Sequence, residues 1–243
     1  MIHAFNFCGQ RDRQLSDLME TTLKKYAGKF LGSFTVRDMD AAGYGNGAGW
    51  EAAMMKLDAM RWVVNKKKVK DDDWVLSVDS DVVFCSSEVF IYLRMLESLI
   101  YNKSGIVGIL QVGPLAKCKM GDLYNFSGCS IYLRGNIARA ITALSPERLT
   151  EVRAEFKEFV ICENEDVVIS YLAQSVGAAP VGLPNHLFHS DYGFEHDLKA
   201  GNLCSFYHLN YPMEVFKDGK FMDVPVTGKW DIPKALRRKK IVL

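Results

Sequence analysis

The tripeptide Asp79-Ser80-Asp81 is the point in this sequence where chemistry is most legible. An apolar run, Trp74-Val-Leu-Ser-Val78, stops abruptly in two carboxylates at positions i and i+2. At a strand end both side chains can turn into one crevice. Carboxylates that close repel each other and raise each other's pKa unless a cation sits between them. Hard oxygen ligands suit Mg²⁺ or Mn²⁺, and such an ion in turn binds phosphate oxygens. The alternative is a plain strand-end turn in which an Asp caps the next helix.

A second acidic pair, Glu165-Asp166, opens a helical pattern that ends before Gly177. A carboxylate there is stabilised by the helix dipole and the orphan N–H groups. An Asp166 that reaches the cleft would instead accept a proton from an attacking hydroxyl. Lys56 and Arg61 lie on one helical pattern, where they would face a diphosphate or form a solvated face. His3 reads as a satisfied core residue. His186, His189 and His196 gather with Asp191, Glu195 and Asp197, but their spacing fits no zinc pattern, so the group reads as a polar loop.

The elements that must position these groups follow from periodicity. Residues 2–8 read as a buried strand and 31–37 as a second, ending at Asp38 and Asp40. Leu15, Leu18, Met19, Leu23 and Tyr26 space as a helix between them, up to Gly28. A loop with Gly43, Gly45, Gly47 and Gly49 follows. It is neither a dinucleotide fingerprint nor a P-loop and reads as flexible chain. A helix starts near Trp50, the third strand is Trp74–Val78, and Ser86 or Ser87 caps a helix carrying Phe90, Leu93, Leu96 and Ile100. Strands are expected at 105–112 and 124–133, the latter interrupted at Ser127-Gly128, and helices near 136–144 and 147–158. Residues 178–243 read as irregular. The alternation in the first half predicts an α/β fold with a parallel sheet, helices on both faces and a ligand site at the carboxyl ends of the strands.

In this order the motifs resemble the GT-A-fold, metal-dependent glycosyltransferases, the nucleotide-diphospho-sugar transferases. The resemblance spans roughly 5–210. It implies a single Rossmann-like GT-A domain over 1–243, with 1–112 as the nucleotide-binding half and 113–243 as an irregular acceptor-side half. It also implies roles. Phe7, Arg11 and Arg13 on the first strand and its loop would hold the base. Asp38 or Asp40 would contact base or ribose. Asp79 and Asp81 would bind the metal, Mn²⁺ or Mg²⁺, and through it the donor diphosphate. Ser127 and Gly128 would lie near the sugar. The pair Glu165 and Asp166 would supply the base of an inverting reaction. A histidine near the C-terminus often completes the metal shell in that family, and His208, in Phe206-Tyr-His-Leu-Asn210, is the choice here, with His189 as runner-up. The first strand lacks the Pro that many members carry, and the C-terminal third matches no subfamily. The donor is expected to be a UDP- or GDP-sugar. The acceptor stays open among a glycan, a small molecule, a protein and modified DNA.

Other readings compete. The run from Val75 to Phe84 also resembles the first motif of haloacid-dehalogenase-type phosphatases, where the first Asp is a nucleophile and the second a general acid. That motif belongs on a first strand, whereas two β/α units precede it here, and Gly121-Asp122 lacks the second Asp of a later Gly-Asp-x-x-x-Asp. A nucleotidyltransferase would want a better Gly- and Arg-rich loop than Gly9–Arg13. A non-catalytic relative that binds sugar or nucleotide is weighed against by the intact acidic pairs.

Composition sets the outer limits. With 243 residues, 30 Lys+Arg against 29 Asp+Glu, and 49% hydrophobic residues, disordered, collagenous and coiled-coil chains are excluded. A net charge of +1 argues against a broadly basic nucleic-acid coat, though Lys234–Lys240 is a local basic cluster that could meet phosphates or DNA. Six scattered cysteines (Cys8, Cys85, Cys118, Cys129, Cys162, Cys204) form no C-x-x-C pair. Together with an N-terminus that does not read as a signal peptide and no apolar stretch near the ~20 residues of a membrane span, they point to the cytoplasm.

Overall fold

The computed structural model describes residues 1–8, 13–38, 49–98, 105–118, 121–159, 165–190, 204–208, 214–217 and 220–223. The chain starts with β1 (Ile2–Cys8), α1 (Arg13–Ala27), β2 (Leu31–Asp38), α2 (Trp50–Lys67) and β3 (Trp74–Val78). Then come β4 (Val82–Phe84), α3 (Glu88–Ser98), β5 (Gly105–Cys118) and β6 (Gly121–Arg134). Helices α4 (Gly135–Thr142), α5 (Pro146–Phe159) and α6 (Glu165–Ser175) follow. The described chain closes with β7 (Ala179–Gly182), β8 (Phe188–Ser190), β9 (Phe206–His208), β10 (Glu214–Lys217) and β11 (Lys220–Asp223).

Six strands form the central sheet in the order β2-β1-β3-β6-β5-β7. Strand β1 runs parallel to β2 and β3, and β5 runs parallel to β7. Only β6 is reversed, pairing antiparallel with both β3 and β5. The sheet is thus mostly parallel and flanked by helices, as expected for a Rossmann-like α/β fold. From β1 the chain moves outward to β2 and then returns to β3 on the other side. The switch point, where open α/β sheets bind ligands, therefore lies beyond the carboxyl ends of β1 and β3. Asp79 stands there.

All five residues of β3 are buried, because helices cover both faces of the sheet. Alternation along the strands separates two cores. Phe5, Val75, Ile106, Phe126 and Ile131 pack beneath the buried faces of α2, α4 and α6. Ala4, Trp74, Leu76, Val107 and Tyr132 pack with Met19 and Leu23 of α1 and with Phe90 and Leu93 of α3. His3 is 9% exposed, with Nδ1 2.9 Å from Ser33 Oγ and Nε2 3.4 Å from Asp73, the satisfied residue that the sequence suggests. Ser86 Oγ accepts the Glu88 N–H at 3.3 Å and caps α3. Gly49 enters α2 at φ 65°, a left-handed conformation that suits glycine.

Strand β6 spans Ser127-Gly128, and its pairing with β5 shifts register there, between Gly108–Ile131 and Leu110–Phe126, so the expected interruption is an irregularity in the ladder. The structure corrects the sequence reading in two places. Strand β5 runs to Cys118, six residues past its expected end at Val112, and pairs with β6. Residues 178–243 are not simply irregular: β7 joins the main sheet, β10 and β11 pair antiparallel, and β8 and β9 join β4 in a small sheet of order β4-β9-β8. These strands have three or four residues, too few to show a period of two. Among the described residues, no helix is long and apolar enough to cross a membrane.

Candidate metal and donor site

The turn after β3 is held from two sides. The Asp79 N–H donates to Cys129 O at 2.9 Å, extending the β3–β6 ladder by one residue. From β1, Asn6 donates through Nδ2 to Val78 O (2.9 Å) and Ser80 Oγ (3.3 Å), and Ser80 Oγ donates to Phe7 O at 3.0 Å. Ser16 Oγ holds the Asn6 amide in turn, at 2.9 Å. A fully buried Asn in an apolar strand has to satisfy its amide. Here it does so by fixing the turn that carries the two carboxylates.

Strand β4, absent from the sequence reading, brings in the third group. It pairs antiparallel with β9 in a register that sets Val82 opposite His208. Ser205 locks that register: its carbonyl accepts the Cys85 N–H at 2.7 Å, and its Oγ accepts the Val89 N–H at 3.0 Å. His208 Nε2 then lies 3.4 Å from Asp81 Oδ1. One ligand atom each from Asp79, Asp81 and His208 falls within 4.8 Å of the others. The sequence's metal set thus converges in space. His189 lies on β8, with a side chain outside the described residues, and His186 is exposed.

Electrostatics mark the same place. Burial raises the pKa of Asp79, with repulsion from Asp81 and Glu165 adding to it against the pull of Lys56 and His208. Burial alone would lower that of His208, but hydrogen bonds to Asp81 and Cys129 push it up to about 11. Lys56, on α2, is turned inward. Its side chain is 13% exposed, and Nζ lies 3.4 Å from Asp79 Oδ1 and 3.7 Å from Glu165 Oε1. Arg61 points elsewhere, donating to Thr142 O at 2.9 Å and to Asp58.

Helix α6 delivers the second acidic pair. Gln174 bonds both main-chain groups of Tyr124, accepting its N–H at 3.1 Å and donating to its carbonyl at 2.7 Å. Ser170 Oγ accepts the Phe126 N–H at 3.1 Å and donates to Asp166 O at 2.7 Å. The helix start is thereby clamped against β6. Asp166 is 9% exposed and receives the Gly128 N–H. Burial pushes its pKa up to about 7, with Glu165 and Asp79 adding repulsion while Lys56 and the Gly128 N–H oppose the rise. A Cβ on Gly128 would stand 1.7 Å from Asp166 Oδ1, so only glycine admits this carboxylate. Gly128→Ala should therefore displace Asp166 and destabilise the fold by about 1–3 kcal/mol, the usual cost of overpacking. Chemical denaturation checks this, and wild-type stability refutes it.

The remaining predicted residues are more spread out. Phe7, at the end of β1, packs edge-on against Phe5 at 6.3 Å. Asp38 closes β2 opposite Cys8, at the carboxyl edge of the sheet. Arg13 begins α1, exposed and 3.7 Å from Asp17. Ser127 Oγ lies 3.4 Å from Cys129 Sγ. Arg11, Asp40, Gly43, Gly45, Gly47, His196 with its acidic neighbours, and Lys234–Lys240 lie outside the described residues. Sequence reasoning missed Asn6 and Cys129. Only the polar residue inside an apolar run could have flagged Asn6.

No protein-family model and no curated protein matches the sequence. Solved structures do share its architecture. Mouse xyloside xylosyltransferase 1 in its apo form is similar with a TM-score of 0.50 at 9% identity, covering 88% of this chain and 100% of that one. The galactosyltransferase LgtC, in complex with donor and acceptor sugar analogs, gives 0.54 at 10% identity, covering 87% and 88%. A glycosyltransferase involved in glycosylating the major capsid of PBCV-1 gives 0.51 at 10% identity, covering 87% and 94%. At such identities the likeness is one of fold, and that fold is the GT-A type of glycosyltransferases.

Proposed function

We propose that this protein is a metal-dependent glycosyltransferase that moves a sugar from a UDP- or GDP-sugar to an acceptor hydroxyl. The observation that carries the reading is the convergence of Asp79, Asp81 and His208 at the switch point of a GT-A-type sheet. Two carboxylates and an imidazole fit Mn²⁺ or Mg²⁺. Burial raises the Asp79 pKa, and the repulsion from Asp81 that adds to it is of the kind a cation relieves. When bound, the ion would supply Lewis-acid neutralisation of the departing nucleoside diphosphate.

The chain's own groups do the rest in this reading. His208 would have to give up its ring proton to hold the ion, since a metal competes with protons for imidazole. Asp79 and Asp81 hold their places through the Asn6 and Cys129 contacts. Phe7, Arg11, Arg13 and Asp38 receive the nucleoside end, and Ser127 and Gly128 border the sugar. Asp166 is the general base, with a pKa near 7 suited to that task. As the acceptor oxygen bonds to the anomeric carbon, the bond from that carbon to the diphosphate oxygen breaks, and the hydroxyl proton passes to Asp166. Glu165 steadies the site through Lys56. Attack opposite the leaving group inverts the anomeric centre. Proton NMR of the first product formed tests that point, because a retained configuration would remove Asp166 from the base role. Acceptor classes consistent with this chemistry are a glycan, a small molecule, a protein and a modified DNA base. Cys85 and Cys129 are free thiols, which fits a reducing compartment such as the cytoplasm.

A thermal-shift panel of nucleotide-sugars with and without Mn²⁺ tests the whole reading. A ligand at 100 times its Kd adds about 2.7 kcal/mol of stability. One UDP- or GDP-sugar should therefore raise Tm by several degrees, and only with the metal present. A panel without any metal-dependent shift would refute the assignment.

A further inference from the structure

We propose that Lys56 is an internal counter-cation that makes metal binding wait for the donor diphosphate. The inference rests on the transferase reading above and adds an order of events to it. Lys56 is held in place by its helix: Ala53, Leu57, Met60 and Val64 of α2 are buried in the core, so the helix cannot carry the side chain away from the site. Its ammonium lies between Asp79, just after β3, and Glu165 at the start of α6, two carboxylates from distant parts of the chain. Asp81 is engaged at the same time by His208.

Asp79 thus already has a positive neighbour inside the protein, and Asp81 already has a contact with His208. A divalent ion arriving alone has to displace Lys56 from Asp79 and to enter beside a fixed ammonium charge. A diphosphate changes this balance. Its oxygens offer Lys56 new acceptors within reach of a flexible four-carbon stem. With the ammonium turned toward phosphate, Asp79 is released to the ion. Metal and nucleotide then favour each other, and the coupling must be reciprocal. Without Lys56 the bare site would hold more negative charge and bind the ion better, but it would bind the nucleotide less well.

The test titrates Mn²⁺ into wild-type protein and K56M, following free Mn²⁺ by its EPR signal, alone and with saturating UDP or GDP. In the wild type the nucleotide should tighten Mn²⁺ binding about tenfold or more, a typical coupling magnitude. In K56M, Mn²⁺ alone should bind roughly tenfold tighter than in wild type, because one positive charge beside the dication is gone. The nucleotide effect should then shrink to about twofold or less, and K56R should restore it. Unchanged or weaker Mn²⁺ binding in K56M overturns the proposal. If K56M does not fold, the wild-type titration still decides, since equal Mn²⁺ affinity with and without bound nucleotide overturns it too. If neither nucleotide binds at all, the transferase reading fails, while the Mn²⁺-only comparison of wild type with K56M still reports on Lys56 by itself.

Discussion

Asp81→Asn is expected to lower turnover by about a thousandfold or more, the upper end of the effect of removing one preorganised electrostatic group from a transition state. Asp81 is 7% exposed, sits on the turn clamped by Asn6 and Cys129, and faces His208 at 3.4 Å. No other described carboxylate stands where it could replace it, because Asp79 is already part of the same set. The substitution keeps the side-chain volume but removes the charge that would attract the proposed ion. It also removes the carboxylate that holds His208 protonated, so the His208 pKa should fall from about 11 toward its ordinary 6.5. The expected signature is a kcat/KM that saturating Mn²⁺ does not restore, with a histidine ring signal that titrates near neutrality by NMR. Wild-type turnover in Asp81→Asn would sink the metal assignment.

Asp166→Asn should have the second largest effect. Loss of a general base removes about 10²- to 10⁴-fold in rate. Donor affinity should hardly change, because Asp166 touches Gly128 and the Lys56 field rather than the phosphates. The same variant should be more stable than the wild type at alkaline pH. The folded pKa of Asp166 is raised from 3.8 to about 7, so its ionised form is less favourable in the folded state than in the unfolded one. Stability associated with this carboxyl is fully present below about pH 4 and is lost as pH rises through about 7. An Asn, which never ionises, avoids that loss. Tm of Asp166→Asn should therefore exceed that of the wild type at pH 8 and lose this advantage below about pH 4. Wild-type activity should rise with pH across the region near 7, as the base deprotonates. A variant with normal kcat, or one with no gain in Tm at pH 8, refutes the respective half of this argument.

These two expectations draw on parts of the molecule that differ in how readable they are from the chain. The strands β1, β2 and β3 and the helices α1, α2 and α6 are legible in sequence, because burial against a neighbouring layer imposes a period on each segment separately. The abrupt end of Trp74–Val78 in Asp79-Ser80-Asp81 is legible for the same reason: an apolar strand cannot continue into two adjacent charges. Glu165-Asp166 at a helix start is legible through the helix's own electrostatics. The order of these motifs was enough to suggest a GT-A-type fold.

The meeting of these segments was not legible in any local pattern, and only the family resemblance grouped His208 with Asp79 and Asp81. His208 reaches Asp81 only because β4 pairs with β9 in one register, and a shift of one residue would turn the imidazole to the other face. That pairing joins two three-residue strands far apart in the chain, and although Phe206–His208 is aromatic and strand-like, nothing local says which strand it pairs with. Lys56 looks like one of many helix lysines until α2 docks and buries it between Asp79 and Glu165. Gly128 looks like a break in β6 until α6 sets the Asp166 carboxyl where a Cβ would be. The amino-acid order by itself determined which groups were available and on which elements they ride, since those follow from local periodicity and charge. Only the tertiary structure decided which of them touch, because register and docking depend on contacts between distant segments that no local pattern encodes.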